Sequence, residues 1–231
     1  MQLTTKKSIL NDWTLFEKVW LFISTITMIG LSIVWKDSPI ALISGVTGII
    51  GVVLCAKGKI STYFYATINV ALYAWICFQN GLYGEVMLNA FYFIPMNIVG
   101  FMLWNKKKDD EGNVEAKALT KKQLIILSVG LVVAIVLYYQ LLKSLGGNLQ
   151  LIDSITTVTS VMALLLQVLR YKEQWLIWIL VNLVSIVMWV MLLNTSEGSI
   201  SMIVMWAAYL INSIYGYINW NKLNKKSELS A

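Results

Sequence analysis

Long runs of apolar residues, separated by short polar stretches, dominate the pattern along this chain. Runs of roughly 17–25 apolar residues are long enough to cross the ~30 Å hydrocarbon core of a bilayer as α-helices, whereas barrel strands would be about half as long and would alternate. The pattern therefore predicts an all-α, polytopic membrane protein. The eight predicted segments, in chain order, are Trp20–Trp35, Pro39–Ala56, Ile60–Phe78, Val86–Trp104, Leu124–Leu142, Leu151–Leu169, Trp175–Leu193 and Ile200–Asn219.

The first segment differs from the others because it is short and closely follows Glu17 and Lys18. An interfacial amphipathic helix is therefore the alternative to a crossing. The segment ends in Trp35, Lys36 and Asp37, not in the small residues that mark a signal-peptide cleavage site. We therefore expect it to be retained as a membrane helix.

The basic residues between the segments predict the orientation. With eight crossings, 16 of the 18 Lys and Arg residues lie on one side, and the other side holds Lys36 and Lys143. If the first segment did not cross, the split would be 13 against 5. Basic loops mark the cytoplasmic side, so we expect both termini to be cytoplasmic. The sixteen are Lys6, Lys7, Lys18, Lys57, Lys59, Lys106, Lys107, Lys108, Lys117, Lys121, Lys122, Arg170, Lys172, Lys222, Lys225 and Lys226.

The chain also matches itself. A shift of 113 positions places Lys57 on Arg170, Lys59 on Lys172, Tyr65 on Trp178 and Asn69 on Asn182, and near the next segment a shift of 116 places Gly100 on Gly216 and Trp104 on Trp220. These matches pair segments two to four with segments six to eight. Three helices reverse the direction of the chain, so a parallel copy needs one linker helix, which segment five supplies.

The predicted architecture is thus an N-terminal helix followed by 3+1+3 transmembrane helices in two parallel three-helix repeats. Repeats also occur in scaffold proteins, but two similar halves around a polar centre are typical of transporters. The predicted units are residues 1–36 with the first helix, 37–105 for the first repeat, 106–150 for the cytoplasmic loop and linker helix, 151–221 for the second repeat, and 222–231 for a cytoplasmic tail.

Composition excludes several classes of function. The chain has 58% hydrophobic and 13% charged residues and no histidine, which argues against His-dependent catalysis and His-ligated metals. The interiors of the segments lack Lys, Arg, Asp and Glu apart from their ends, so coupling to a proton or cation gradient is not expected. We predict no catalytic residues, no metal and no cofactor. Basic residues confined to loops argue against a nucleic-acid partner.

Amides and large aromatic residues are the chemistry that the segments do contain. Trp175, Trp178 and Asn182 are spaced i, i+3 and i+7, which places them in one stripe along a helix. Indole faces suit a flat or cationic ring, and amides suit a carboxamide or ribose hydroxyls. Trp175 could instead be an interfacial anchor, and the asparagines could join helices by hydrogen bonds. The predicted substrate-binding residues are Trp175, Trp178, Asn182, Gln79, Asn69, Tyr209 and Asn212.

The Trp175, Trp178 and Asn182 stripe, the repeat layout and the chain length together resemble the PnuC family of bacterial vitamin transporters, over about Pro39 to Asn224. The resemblance implies a SWEET-like fold and a homotrimer among the lipids of the bacterial cytoplasmic (inner) membrane. It also implies facilitated diffusion of nicotinamide riboside, which a cytoplasmic kinase traps by phosphorylation. The motif residues are carried over from the family, whereas Gln79, Asn69, Tyr209 and Asn212 come from segment geometry.

Three other functions remain open at this point. Relatives within the family carry thiamine or riboflavin, and a sugar would fit the same fold, so another solute is the main alternative. A membrane enzyme is disfavoured by the lack of histidine and of acidic groups inside the segments. A structural or assembly protein would have a dry core without a cavity for a solute.

Overall fold

The computed structural model describes residues 13–34, 38–79, 83–108, 114–144, 150–191 and 199–229. Each of the eight predicted segments forms a helix, which confirms the all-α architecture. The fourth segment is interrupted: the short helix Tyr83–Leu88 is followed by a π-helical turn at Asn89–Phe93 and by the helix Ile94–Asn105, which has Pro95 in its first turn. The helices are α1 (Leu15–Val34), α2 (Pro39–Lys57), α3 (Thr62–Gln79), α4 (Tyr83–Leu88), α5 (Ile94–Asn105), α6 (Lys121–Ser144), α7 (Gln150–Val168), α8 (Gln174–Met191) and α9 (Ser199–Leu229).

Five helical stretches are long and apolar enough to span a membrane on length and composition: α1, α2, α6, α7 and the stretch Val86–Asn105. Within α8 the apolar part found is shorter, Gln174–Met188. The stretches that fall short of this criterion belong to α3, α8 and α9. These three helices carry all seven predicted site residues.

The first and last helices depart from the predicted boundaries. Helix α1 begins at Leu15 rather than Trp20, because Thr14 and Glu17 form a capping box: Glu17 N donates to Thr14 Oγ1 at 3.2 Å, and Thr14 N donates to Glu17 Oε2 at 2.7 Å. Helix α9 has 31 residues and continues to Leu229, so the expected tail from residue 222 is helical through that residue. At 1.5 Å per residue, α9 is about 46 Å long and extends beyond a ~30 Å hydrocarbon core.

The two halves repeat with a shift of 112 positions, so the predicted shift of 113 was wrong by one residue. At the α2–α3 corner, Gly58 N donates to Cys55 O and Lys59 N to Leu54 O, each at 2.9 Å. At the α7–α8 corner, Arg170 N donates to Gln167 O at 3.0 Å and Tyr171 N to Leu166 O at 2.9 Å. Both corners are thus the same left-handed cap, with a φ of 77° at Gly58 and 69° at Arg170.

The last helix of each half packs against the first helix of the other half, α9 on α2 and α5 on α7. Two buried indoles form hydrogen bonds between the halves in the same way. Trp104 Nε1 donates to Gln167 O at 3.1 Å, and Trp220 Nε1 donates to Cys55 O at 2.9 Å. For these last helices the shift is 116, since the connection at 192–198 is four residues longer than that at 80–82. The halves are therefore interlocked.

The largest buried hydrophobic cluster lies at the end of the molecule where the lysine-rich connections are. Residues from both halves and from the stretch before α6 contribute to it. They are Cys55, Ala56, Tyr63, Trp104, Val114, Ala116, Leu164, Val168, Trp175 and Trp220. The opposite end has no comparable cluster among the described residues. The lysine-rich end is therefore the tightly closed end of this structure.

Residues 114–117, which we call the strap, cross between the two corners. Val114 N donates to Gly58 O at 2.9 Å, and Lys117 N donates to Arg170 O at 2.8 Å. Gly58 and Arg170 are the equivalent left-handed residues, so one short segment binds the same carbonyl in each half. Leu223, in the extension of α9, covers this region, because a Cβ at Gly58 would lie 2.9 Å from its Cδ1.

The linker helix α6 has no buried residue, and α7 is its main neighbour. A second capping box begins α6, with Thr120 N donating to Gln123 Oε1 at 2.9 Å and Gln123 N donating to Thr120 Oγ1 at 3.3 Å. Its apolar surface fits the predicted role as an extra crossing that restores the chain direction before the second repeat.

A buried ion pair fastens α1 to the rest of the bundle. Lys57 Nζ lies 3.0 Å from Glu17 Oε2, and these side chains are only 7% and 2% exposed. The Tyr215 hydroxyl of α9 donates to Glu17 Oε1 at 2.7 Å, so α1, α2 and α9 meet at one carboxylate. Sequence reasoning treated Lys57 only as an orientation signal. The predicted first segment began at Trp20, so Glu17 was placed outside it and its pairing with Lys57 was not anticipated.

Candidate functional site

Three helices converge near the middle of the bundle, at Gly48 of α2. A Cβ at Gly48 would lie 2.8 Å from Asn69 Nδ2 of α3 and 2.8 Å from the Tyr209 hydroxyl of α9. The missing side chain therefore lets an amide and a phenol from two helices approach the same point. The structure brings two predicted site residues, Asn69 and Tyr209, together here.

Asn69 is held in place by α2. Its Nδ2 donates to the Ser44 carbonyl at 2.7 Å and to Ser44 Oγ at 3.2 Å. Two bonds from one amide nitrogen fix the orientation of the side chain, so the interhelical role considered for Asn69 is present in the structure. The side-chain oxygen Oδ1 of Asn69 takes no part in these two bonds.

The side chain of Asn212 bonds to a neighbouring helix through its nitrogen and leaves its oxygen available as an acceptor. Its Nδ2 donates to Val52 O of α2 at 3.0 Å, and the side chain is 2% exposed. Within the part of the chain that the structure describes, its buried Oδ1 has no hydrogen-bond partner. A buried amide oxygen without a donor is costly, and a bound solute with an N–H or O–H group would satisfy it.

Asn182 lies near the middle of α8 and is also buried. Its Nδ2 donates to Ser213 Oγ of α9 at 2.9 Å. Ser213 follows Asn212 directly, so α8 and α2 both contribute bonds to adjacent positions of α9. Neither Ser44 nor Ser213 was among the predicted site residues, and the hydrogen bonds to Asn69 and Asn182 are what draw attention to them.

Trp175 and Trp178 begin the same stripe closer to the lysine-rich end. Trp175 is 3% exposed, and its ring lies against the backbone of Gly216, where a Cβ would be only 2.7 Å from three ring atoms. Its Nε1 is buried and has no hydrogen-bond partner in the described residues. Trp178 is half-buried beside the large cluster. Trp175 is thus a packed interior residue and not an exposed interfacial anchor.

Gln79 ends α3, and its side chain lies outside the part of the structure that is described. Trp206, which belongs to the same stripe of α9 as Tyr209 and Asn212, is a residue that the prediction left out. It packs edge-on against Tyr209, with ring centroids 5.8 Å apart, and its buried Nε1 has no partner among the described residues. Helical spacing alone places Trp206 on this stripe, and its unpartnered indole N–H is the structural reason to include it in the candidate site.

The corrected repeat shift makes the two halves of the site chemically different. With a shift of 112, Tyr63 is equivalent to Trp175 and Val70 to Asn182, so Asn69 is not the counterpart of Asn182. The contacts agree with this correction, because Asn69 bonds to α2 whereas Asn182 bonds to α9. A pseudo-symmetric scaffold therefore carries an asymmetric set of donors and acceptors.

The side chains of this region are neutral polar groups and aromatic rings. Among the described residues, no group of three His, Cys, Asp or Glu side chains could hold a metal ion. The chain has no Lys or Arg between Lys59 and Lys106, or between Lys172 and Lys222. Aromatic faces, amides and hydroxyls can stack on a flat ring and bond to its polar substituents.

Comparison with known proteins gives consistent matches. A sequence model of the family described as nicotinamide mononucleotide transporter matches residues 38–222. The nicotinamide riboside transporter PnuC of Neisseria mucosa is 40% identical over 227 residues, which cover 96% of this chain and 86% of the relative. The protein of the same name from Haemophilus influenzae is 38% identical over 225 residues, covering 96% of each chain.

A solved structure is similar as well. The crystal structure of the vitamin B3 transporter PnuC superposes with a TM-score of 0.83, at 40% sequence identity and over 94% of each chain. The likeness therefore covers both repeats and the linker between them.

Proposed function

The chain belongs to the nicotinamide mononucleotide transporter family, and on that premise we propose that it carries nicotinamide riboside across the bacterial cytoplasmic membrane by facilitated diffusion. The observation that carries the proposal is the 38–40% identity, over 96% of the chain, to two proteins named nicotinamide riboside transporters. The family is one of transporters rather than enzymes, and its members are multi-pass bacterial membrane proteins.

The side chains support a riboside as the solute. Trp175 and Trp178 offer aromatic faces to a cationic nicotinamide ring. Asn212 Oδ1 and the Tyr209 hydroxyl offer bonds to a carboxamide or to ribose hydroxyls, and Asn182 and Asn69 complete the polar set. Gln79, at the end of α3, is proposed as a further contact. These seven residues form the proposed binding site.

A riboside fits this site better than a mononucleotide does. A buried phosphate needs Lys or Arg partners, because an unpaired charge away from water is very costly. The parts of α3, α8 and α9 that carry the proposed site lie within residues 60–105 and 173–221, and neither range contains a Lys or an Arg. A solute without a phosphate therefore matches the charge of the site.

The mechanism proposed is uniport. No Asp or Glu lies between Ser38 and Asn80, so α2 and α3 offer no carboxylate to titrate or bind a coupling cation. Glu17 is already neutralised by Lys57 near the lysine-rich end. Phosphorylation of the riboside in the cytoplasm would trap it and give net uptake without ion coupling.

The orientation and assembly are proposed on separate grounds. Sixteen basic residues on one side favour a cytoplasmic location for both termini, for the loop 106–120 and for the end of α9. The units proposed are residues 1–36, 37–105, 106–150, 151–221 and 222–231. The exposed apolar surface of α6 suits contact with membrane lipids. A homotrimer is proposed from the family resemblance.

Direct binding and uptake measurements test this function. Calorimetry on the purified protein is expected to show binding of nicotinamide riboside. Thiamine, riboflavin and glucose are expected to bind much more weakly or not at all. Vesicles containing the protein, a riboside kinase and ATP should accumulate label at a rate that ionophores leave unchanged. Selective binding of thiamine, riboflavin or glucose would replace the proposed solute, and loss of uptake with a collapsed proton gradient would refute uniport.

Replacing Asn182 or Trp178 with alanine is expected to weaken riboside binding by about 1–3 kcal/mol, through loss of a buried amide contact or of ring stacking. The measurement is the dissociation constant by calorimetry. Matched controls are Asn221→Ala, whose side chain bonds only locally to Tyr217 O, and Leu180→Ala on an exposed face of α8. Unchanged affinity in both site variants would move the binding site elsewhere.

A further inference from the structure

A row of four aromatic rings closes the bundle at the lysine-rich end. Tyr63 and Trp104 lie edge to face with centroids 4.9 Å apart, Trp104 and Trp220 are 5.6 Å apart, and Trp220 and Trp175 are 6.2 Å apart. Two of the rings come from the first half and two from the second. Trp104 and Trp220, at the centre of the row, have no exposed surface. A solute moving through the bundle toward this end would have to pass the row.

The two central indoles are also bonded across the boundary between the halves. The acceptor of Trp104 is Gln167 O, and the acceptor of Trp220 is Cys55 O, which are equivalent corner carbonyls. Each of these carbonyls also accepts the N–H of its own left-handed cap. Separating α5 from α7, or α9 from α2, would break one of these bonds in a buried setting.

The strap adds backbone bonds at the same place. Val114 N and Lys117 N bind the carbonyls of Gly58 and Arg170, one in each half, and Lys172 N donates to Lys117 O at 2.9 Å. Val114 and Ala116 are buried in the large cluster with the four rings. The two corners therefore cannot move apart while the strap keeps all of its bonds.

We propose that Trp104 and Trp220 are the inner gate residues of the transport cycle, and that the strap latches the gate they form. The gate opens when the two cross-repeat indole bonds break and the ends of the halves separate. Because it concerns release of the solute, the proposal rests on the transport function proposed above. It assigns a role to two tryptophans that the proposed binding site does not use.

Cys55 provides a reporter for this gate. It is 4% exposed, belongs to the same cluster, and supplies the carbonyl that binds Trp220. In a Cys77→Ser background it is the only thiol of the chain. The rate at which a maleimide labels Cys55 in the full-length, detergent-purified protein therefore measures how often the gate opens, without any need for the solute.

Trp104→Phe and Trp220→Phe keep an aromatic ring but remove the indole donor. Each is expected to raise the labelling rate about three- to tenfold, which is the change that the loss of one hydrogen bond produces, and the double variant should exceed either one. The same substitution at Trp75, which is 48% exposed on α3, should leave the rate unchanged. Lys117→Pro, which removes the strap donor to Arg170 O, should raise it about threefold even if a tryptophan variant does not fold.

Labelling rates that stay at the parent value in the tryptophan variants, or that rise equally for Trp75→Phe, would overturn the gate. Riboside binding is measured on the same samples, so the two proposals fail separately. Absent riboside binding with faster labelling would contradict the proposed solute alone. Intact binding with unchanged labelling would contradict the gate alone.

Discussion

Replacing Lys57 with methionine is expected to lower the free energy of unfolding by about 3–5 kcal/mol, because it leaves the Glu17 carboxylate buried without its counter-ion. The Tyr215 hydroxyl would remain as a neutral donor, which does not compensate for a lost positive charge. The measurement is the unfolding equilibrium of the purified protein in mixed micelles titrated with SDS. Lys122→Met, at an exposed position near the start of α6, serves as the control and should change little.

The double variant Glu17→Gln with Lys57→Met separates charge burial from simple loss of packing. Removing both charges is often close to neutral, so the double variant should recover most of the stability lost in Lys57→Met. A double variant as unstable as the single one would show that the ion pair is not the source of the effect. It would then be the stem of Lys57, rather than its charge, that holds α1.

Gly216→Ala is expected to reduce both stability and riboside affinity, each by about 1–3 kcal/mol, since the new methyl group would lie 2.7 Å from the Trp175 ring. A packed indole has no flexible end that could move aside, so the ring must shift as a unit. Affinity is read by calorimetry and stability by the SDS titration. Loss of stability with unchanged affinity would remove Trp175 from the binding site.

Substitutions at two other glycines serve as controls for Gly216→Ala. Gly100 is the repeat counterpart of Gly216, and a Cβ there would lie 2.4 Å from the Tyr63 ring, so Gly100→Ala should cost stability without touching a proposed binding residue. Gly130 lies on exposed α6, where a Cβ would have nothing within 4 Å, and Gly130→Ala should be neutral or slightly stabilising. Gly100→Ala thus measures the cost of steric strain away from the proposed site, and Gly216→Ala adds the effect of such strain on Trp175. Gly130→Ala measures helix propensity alone.

The sequence predicted the helices well because a membrane span depends on composition over many residues. The eight apolar runs correspond to helices, and the positions of Gly100, Gly216, Trp104 and Trp220 revealed the repeat. The register of the repeat was missed by one residue because Arg170 adopts the left-handed conformation that Gly58 adopts in the first half. Arginine carries no sequence signal for that conformation, so matching the basic residues gave the wrong alignment.

The contacts within the candidate site could be predicted only in part. Helical spacing placed Trp175, Trp178 and Asn182 on one stripe, since this relation depends on a single helix. The meeting of Asn69 and Tyr209 at Gly48 involves three helices and depends on how closely they approach. The burial of Lys57 was missed for the same reason, because its partner lies forty positions earlier on a helix that starts before its apolar run.

The four extra residues between the second and third helices of the second half have a consequence for the ancestry of the chain. If one three-helix unit was duplicated, inserting a single residue at the start of α3 or α8 would turn the rest of that helix by about 100° and carry Tyr63 or Trp175 out of the aromatic row. The strap would then face different carbonyls in the two copies. An insertion at the opposite end disturbs none of these pairings among the described residues, and that is where the two copies have diverged in length.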